Sequence, residues 1–403
     1  MERNKNIAKL REGYLFPEIN RRKRKFLENN PNAKIISLGI GNTTEPLKKH
    51  ITKALVEAST DLGTVEGYSG YGDEQGLTAL RDRIAEKLYG GIVSGEEVFT
   101  SDGAKCDIGR LQVMFGNDVS VAVQDPSYPV YVDGSVIIGA TGEFDDSKKQ
   151  FGKMTYLPCT PENGFFPDLE RCKKTDVIYF CSPNNPTGAV STKKQLKELI
   201  DCARDNKSII VYDAAYAEYI TDKKLPKTIF EIEGARDVAL EVNSFSKPLG
   251  FTGVRLGWTV VPNELTYDGG EKVIDDWNRV TCTIFNGASN IVQKAALSAL
   301  DDAGLDEMRK TVGFYMENAA IIRKTLKDVG VEVYGGDNAP YIWARFPGRK
   351  SWDVFEEILE TANVVTTPGS GFGPAGEGFL RFSSFGHRKD IIEACERLEK
   401  NLG

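Results

Sequence analysis

Histidine is nearly absent from these 403 residues: only His50 and His387 occur, far apart in the chain. A histidine-based zinc site or catalytic triad therefore has almost nothing to work with, and no metal is expected. The seven cysteines are odd in number, scattered, and never spaced as CxxC, so neither a thiolate metal site nor a disulfide framework is indicated. Reduced thiols in a cytoplasmic enzyme fit that usage. No apolar run is long enough for a membrane span or the core of a signal peptide, and the N-terminal stretch MERNKNIAKLREGYLF is charged. Positive charge is in deficit too. A formal net charge of −7 argues against the basic face that a nucleic acid would need. The one basic run, Arg21 to Lys25, reads as a solvated helix face.

What the chain has instead is a series of apolar strands that break into polar, glycine- or proline-bearing turns. The most informative is SFSKPLGFTGVRLG, Ser244 to Gly257, which follows the strand DVALEVN. Ser244, Ser246 and Arg255 can donate to a phosphate, Gly250 and Gly253 let the backbone fold back, and Lys247 is held close to whatever the phosphate anchors. An amine beside a phosphate anchor suits a lysine that forms a Schiff base with pyridoxal phosphate. A basic surface loop after a strand explains the same letters, so other segments must decide.

Several do. VFTSDGAKCDIGR reads strand, turn, helix, with Ala104 and Lys105 at a helix start where unpaired amides attract an anion. VSVAVQDPSYP ends a strand in a proline-fixed turn that presents Tyr128, either as a stacking aromatic or as a packed turn residue. VIYFCSPNNPTG carries Asn185 past a third strand. IIVYDAAY ends a fourth in Asp213, which is costly to bury without a cationic partner such as a pyridinium nitrogen, and Tyr216 follows three residues on. LGIGNTTEP is either an ordinary glycine turn or a loop whose Gly41 lies against a carboxylate. In an α/β fold with a mainly parallel central sheet and helices on both faces, ligands collect outside the carboxyl ends of the strands. Tyr128, Asn185, Asp213 and Lys247 should therefore converge.

GYLFPEI, Gly13 to Ile19, reads as a turn-forming segment, and Glu66 to Gly90 as a loop feeding an amphipathic helix, with Tyr71 and Glu74 in the loop. GFGPAG, Gly371 to Gly376, matches a dinucleotide fingerprint but leads into the strand FLRFSSF rather than a helix, so no pyrophosphate site is expected. Arg381 in that strand is either half of a structural ion pair or a clamp for a ligand carboxylate. Length implies two domains. We expect a large one at residues 47–288, and a smaller α+β one made of residues 1–46 together with 289–403.

With SPNNPTG, DAAY, SxSK and RLG standing in this order, the chain resembles the fold-type I pyridoxal-phosphate-dependent aminotransferases of the aspartate aminotransferase class. GYLFPEI, LGIGNTTEP, GYSGYGDEQG, SDGAKCDIGR and QDPSYPVYVDGS bring it nearer to the LL-diaminopimelate aminotransferase family. The resemblance implies Lys247 as the Schiff-base lysine and proton shuttle. Asp213 would hold the ring nitrogen, Asn185 and Tyr216 the ring hydroxyl, and Tyr128 would stack on the ring. Ser244, Ser246, Arg255 and the amides of Ala104 and Lys105 would hold the phosphate, with Tyr71 of a partner subunit completing that seat in a homodimer. Asn286 is implied at both cofactor and substrate. Arg381 and the amide of Gly41 would meet the substrate's α-carboxylate, and Lys105 and Glu74 its distal carboxylate and ammonium, with Tyr14 and Asn286 as further donors. A general aspartate or aromatic aminotransferase is the alternative enzyme. A cofactor-binding regulatory module would need an attached partner domain, for which the segment before Ile35 leaves no room.

Overall fold

The computed structural model describes residues 1–10, 15–39, 41–172 and 175–403. A seven-stranded sheet forms its centre. In chain order the strands are β1 (Val98–Ser101), β2 (Val121–Asp125), β3 (Met154–Pro158), β4 (Val177–Cys181), β5 (Ile209–Asp213), β6 (Ala239–Ser244) and β7 (Gly257–Val260). Their spatial order is β1-β7-β6-β5-β4-β2-β3. Only β7 runs antiparallel to its neighbours, and the other pairings are parallel. Every residue of β1, β2 and β4 to β7 is buried, as a sheet covered on both faces requires.

Helix α1 (Leu15–Asn29) turns its buried residues to a second cluster, whereas four helices pack with these strands: α2 (Thr78–Tyr89), α3 (Ala104–Phe115), α4 (Val130–Ile138) and α5 (Lys193–Asn206). The last starts where the sequence signals it. Thr192 and Gln195 form a reciprocal capping box, and Leu196, Leu199, Ile200 and Ala203 make one buried stripe. GYLFPEI differs from the expectation. From Leu15 onward it is not a turn but the first turn of α1, because Pro17 falls where a helix has no use for the missing N–H. The basic run lies on that helix, where Arg21 and Arg22 both pair with Glu18.

A second, antiparallel sheet holds β8 (Glu332–Gly335), β9 (Tyr341–Arg345), β10 (Thr367–Pro368) and β11 (Phe379–Ser383), in the spatial order β8-β9-β11-β10. Its apolar cluster includes Leu15, Ile19, Ile36 and Leu38 from the N-terminal segment. A 27-residue helix, α6 (Asp302–Asp328), runs between the two bodies of packing. Met308 belongs to the cluster of the large sheet together with Ala296, Ala299 and Leu300, whereas Ala319, Ile322 and Leu326 belong to that of the small sheet. Both apolar clusters thus draw on α6, because one continuous helix serves both. GFGPAG forms two short 3-10 turns between β10 and β11, with no helix behind it. Among the described residues no helix is long and apolar enough to cross a membrane.

Candidate active site

A cavity of about 460 Å³ opens at the carboxyl ends of β1, β2, β4, β5 and β6. Its walls bring together Gly41, Ala104, Lys105, Tyr128, Asn185, Asp213, Tyr216, Ser244, Ser246, Lys247, Arg255 and Arg381, all expected from sequence. The sheet geometry accounts for the convergence: Asp213 and Ser244 are the last residues of adjacent parallel strands, and Tyr128 and Asn185 stand shortly past two more.

Charge inside the cavity is strongly one-sided. Lys105, Lys247, Arg255 and Arg381 face a single carboxylate, Asp213. That carboxylate is buried and, among the described residues, accepts from the Tyr131 hydroxyl at 2.7 Å and the Ala215 amide at 3.1 Å. Burial pushes its pKa up, against the pull of those two donors. The Lys247 amine is pulled down to about 7, first by burial and then by Arg381, Arg255 and Lys105. It donates to the Gly41 carbonyl. An amine so placed is a usable nucleophile and base near neutral pH.

The residues expected to seat a phosphate are brought together by close approaches. Gly103 caps α3 with φ 124°, and a Cβ there would lie 2.3 Å from Arg255 Nη2. Arg255 itself takes a left-handed φ of 70°, an uncommon conformation for a residue with a side chain. Its Nη1 donates to the Thr252 carbonyl at 3.0 Å and to Ser246 Oγ at 3.4 Å. The Ser246 amide in turn donates to Ser244 Oγ at 3.0 Å.

Arg381 is 1% exposed. Its Nη1 donates to Asn185 Oδ1 at 2.7 Å and its Nη2 to the Gly39 carbonyl at 2.6 Å, while its buried Nε has no partner among the described residues. No carboxylate on the chain pairs with it among the described residues, so the clamp reading is favoured over the structural ion pair. Because Arg381 can only donate, the Asn185 carbonyl faces it and the Asn185 NH2 is left to donate elsewhere.

Tyr71, Glu74 and Asn286 do not line this cavity. Tyr71 is 91% exposed, Asn286 is exposed and Glu74 is half-buried. Their two loops meet, since Asn290 Nδ2 donates to Ser69 Oγ at 3.0 Å and to the Gly70 carbonyl at 3.3 Å. Tyr14 lies outside the described residues. Sequence reasoning missed Phe16, Tyr131 and Tyr341, which also line the cavity. Tyr131 stands one helical turn after Tyr128 and was within reach of helix spacing. Tyr341 comes from the second sheet and belongs to no motif.

Residues 33–398 match the family model for aminotransferase class I and II. The chain is 58% identical over 401 residues to the chloroplastic LL-diaminopimelate aminotransferase of Arabidopsis thaliana, spanning 99% of this chain and 87% of that one. It is 52% identical over 402 residues to the LL-diaminopimelate aminotransferase of Protochlamydia amoebophila, spanning 100% and 98%. The solved structure of the Chlamydomonas reinhardtii L,L-diaminopimelate aminotransferase superposes with a TM-score of 0.96 at 59% identity, covering 100% of this chain and 99% of that one. This chain belongs to the LL-diaminopimelate aminotransferase family. Aminotransferases of class I and II depend on pyridoxal phosphate, and the cavity suits it: Lys105, Arg255 and Arg381 as cations for a phosphate and a carboxylate, one buried acid without a cationic partner, and the Lys247 amine of depressed pKa.

Proposed function

We infer that the protein is a transaminase that interconverts LL-2,6-diaminopimelate plus 2-oxoglutarate with tetrahydrodipicolinate plus L-glutamate, a reaction of diaminopimelate and lysine biosynthesis. The observation that carries this reading is the convergence of Lys247, Asp213 and Arg381 in one cavity of a chain that matches diaminopimelate aminotransferases along its whole length.

Pyridoxal phosphate, when bound, supplies an electron sink that acidifies the substrate's α C–H bond. Ser244, Ser246, Arg255 and the amides of Ala104 and Lys105 would hold its phosphate, Asn185 and Tyr216 its ring hydroxyl, and Tyr128 its ring face. Asp213 keeps a proton at the ring nitrogen, since a buried carboxylate without a cation gains most from that contact. Arg381 pairs the substrate's α-carboxylate and fixes which bond at the α carbon faces the base, with the Gly41 amide beside it. Lys247, whose depressed pKa of about 7 leaves much of it without a proton near neutrality, would take the α proton and give it back.

The distal end of diaminopimelate carries an ammonium and a carboxylate, whereas glutamate ends in a carboxylate alone. Lys105 serves the carboxylate and Glu74 the ammonium, with Tyr14 and Asn286 as further donors. Asn286 also stands beside the cofactor. Because Tyr71, Glu74 and Asn286 do not line the cavity of their own chain, we assign them to the site of a second copy in a homodimer. The seven free cysteines support a reducing compartment, of which the cytoplasm is one.

Mixing the purified protein with LL- and meso-diaminopimelate separately, and following loss of the bound cofactor's long-wavelength absorption, tests the substrate. LL-diaminopimelate is expected to react, and faster conversion by aspartate or an aromatic amino acid would overturn the assignment. Glu74→Gln should lower turnover of diaminopimelate about tenfold more than that of glutamate. Equal losses would refute the distal allocation.

A further inference from the structure

Tyr341 opens β9 and pairs with Ser383 of β11, two residues from Arg381, so that its side chain shares a face with the arginine. It is 1% exposed. Its ring lies 4.3 Å from the Arg381 guanidinium carbon, and its hydroxyl lies 2.7 Å from that of Tyr216. The Gly41 backbone also comes up against that hydroxyl: a Cβ at Gly41 would lie 2.5 Å from Tyr341 Oη. One phenol from the small sheet thus touches the carboxylate clamp, the glycine loop and the tyrosine assigned to the ring hydroxyl.

Each phenol has a single O–H hydrogen to donate. If Tyr216 spends its own on the ring oxygen of the cofactor, the hydrogen between the two phenols must come from Tyr341. Resting on the function inferred above, we propose that Tyr341 is a positioning residue: it donates to Tyr216, aims the Tyr216 O–H at the cofactor's ring oxygen, and strengthens that donation. Successive hydrogen bonds polarise one another, so the second donor makes the first a better one. Because Tyr341 also stacks under Arg381, the geometry links carboxylate capture in the small sheet to the electronic state of the ring held by the large one. Lys105, Asp213, Lys247, Arg255 and Arg381 are the charged groups lining the same cavity, and Tyr341→Phe leaves all of them in place.

The test is the pH midpoint of the bound cofactor's absorption change, read without turnover. A donor to the ring oxygen favours its anionic form, so losing that donor raises the midpoint. Tyr216→Phe should raise it by about one pH unit, the value of a hydrogen bond to a charged group. Tyr341→Phe should raise it by about 0.2 to 0.5 of a unit, with the thermal midpoint within a few degrees of the parent. The double variant should match Tyr216→Phe alone, since Tyr341 acts through Tyr216. A Tyr341→Phe midpoint equal to the parent's while Tyr216→Phe shifts, or shifts that add in the double variant, would overturn the proposal and leave the aminotransferase reading standing. An unmodified protein that takes up no pyridoxal phosphate would overturn both.

Discussion

Two acids sit on adjacent central strands, Asp213 at the end of β5 and Glu241 within β6, both buried and both without a cationic partner among the described residues. Their surroundings differ. Register pairs Tyr212 with Glu241 and Asp213 with Val242, so the two side chains point to opposite faces of the sheet. Glu241 is closed in: it accepts from the Tyr89 hydroxyl at 2.8 Å, the Thr228 hydroxyl at 2.6 Å and the Ile229 amide at 3.2 Å. Trp258 Nε1 then donates to the Tyr89 hydroxyl at 2.8 Å. Asp213 has two donors and otherwise opens on the cavity. Burial raises both pKa values, that of Glu241 to about 7. A buried acid surrounded by protein donors is part of the scaffold. One left open on a cavity is placed to meet a ligand.

That contrast can be broken or sharpened at three points. Lys247→Ala should cost the most, about 10⁴-fold in kcat, because it removes the proton-transfer group while leaving the sheet intact. Steady-state turnover of LL-diaminopimelate measures it, and a thermal midpoint near the parent's separates it from unfolding. Asp213→Asn should lower kcat about 10²-fold with little change in stability, since the open side of Asp213 serves the ligand and not the core. An equal loss of activity from Glu241→Gln would erase the distinction.

Glu241→Gln should instead leave kcat within about twofold and change the pH profile of stability. The folded pKa of Glu241, about 7, lies above its ordinary value of 4.5. Below pH 4.5 both states hold the proton. Between the two values only the folded state does, so this group's stabilising contribution falls as pH rises and is fully lost above about 7. A difference of about two and a half pH units corresponds to about 3 kcal/mol. Denaturant titrations at about pH 5 and about pH 7 should therefore show a smaller fall for Glu241→Gln than for the parent. Identical falls would mean that the three donors hold Glu241 ionised.

Much of the site was legible in the sequence, because its residues sit in short, stiff segments whose local chemistry is unusual. Asp213 ends an all-apolar run, Lys247 stands between hydroxyls and glycines, and Ala104 and Lys105 open a helix. The misreading of GYLFPEI had a local cause: proline marks a turn or a first helical turn equally well, and only the following residues of α1 decide. Tyr131 and Tyr341 escaped for opposite reasons. Tyr131 lay inside a short apolar helix, where a buried aromatic reads as core, whereas Tyr341 reaches the cavity from a different sheet.

Sequence alone determined the strand-end motifs and the family, because each is written in contiguous residues. Tertiary structure decided which of two buried acids is open to a ligand, that both cores draw on α6, and which hydroxyl backs Tyr216. Those depend on sheet register and on contacts between residues far apart in the chain, such as Tyr216 and Tyr341. No local pattern encodes such distances, since strand pairing and packing select them only when the whole chain folds.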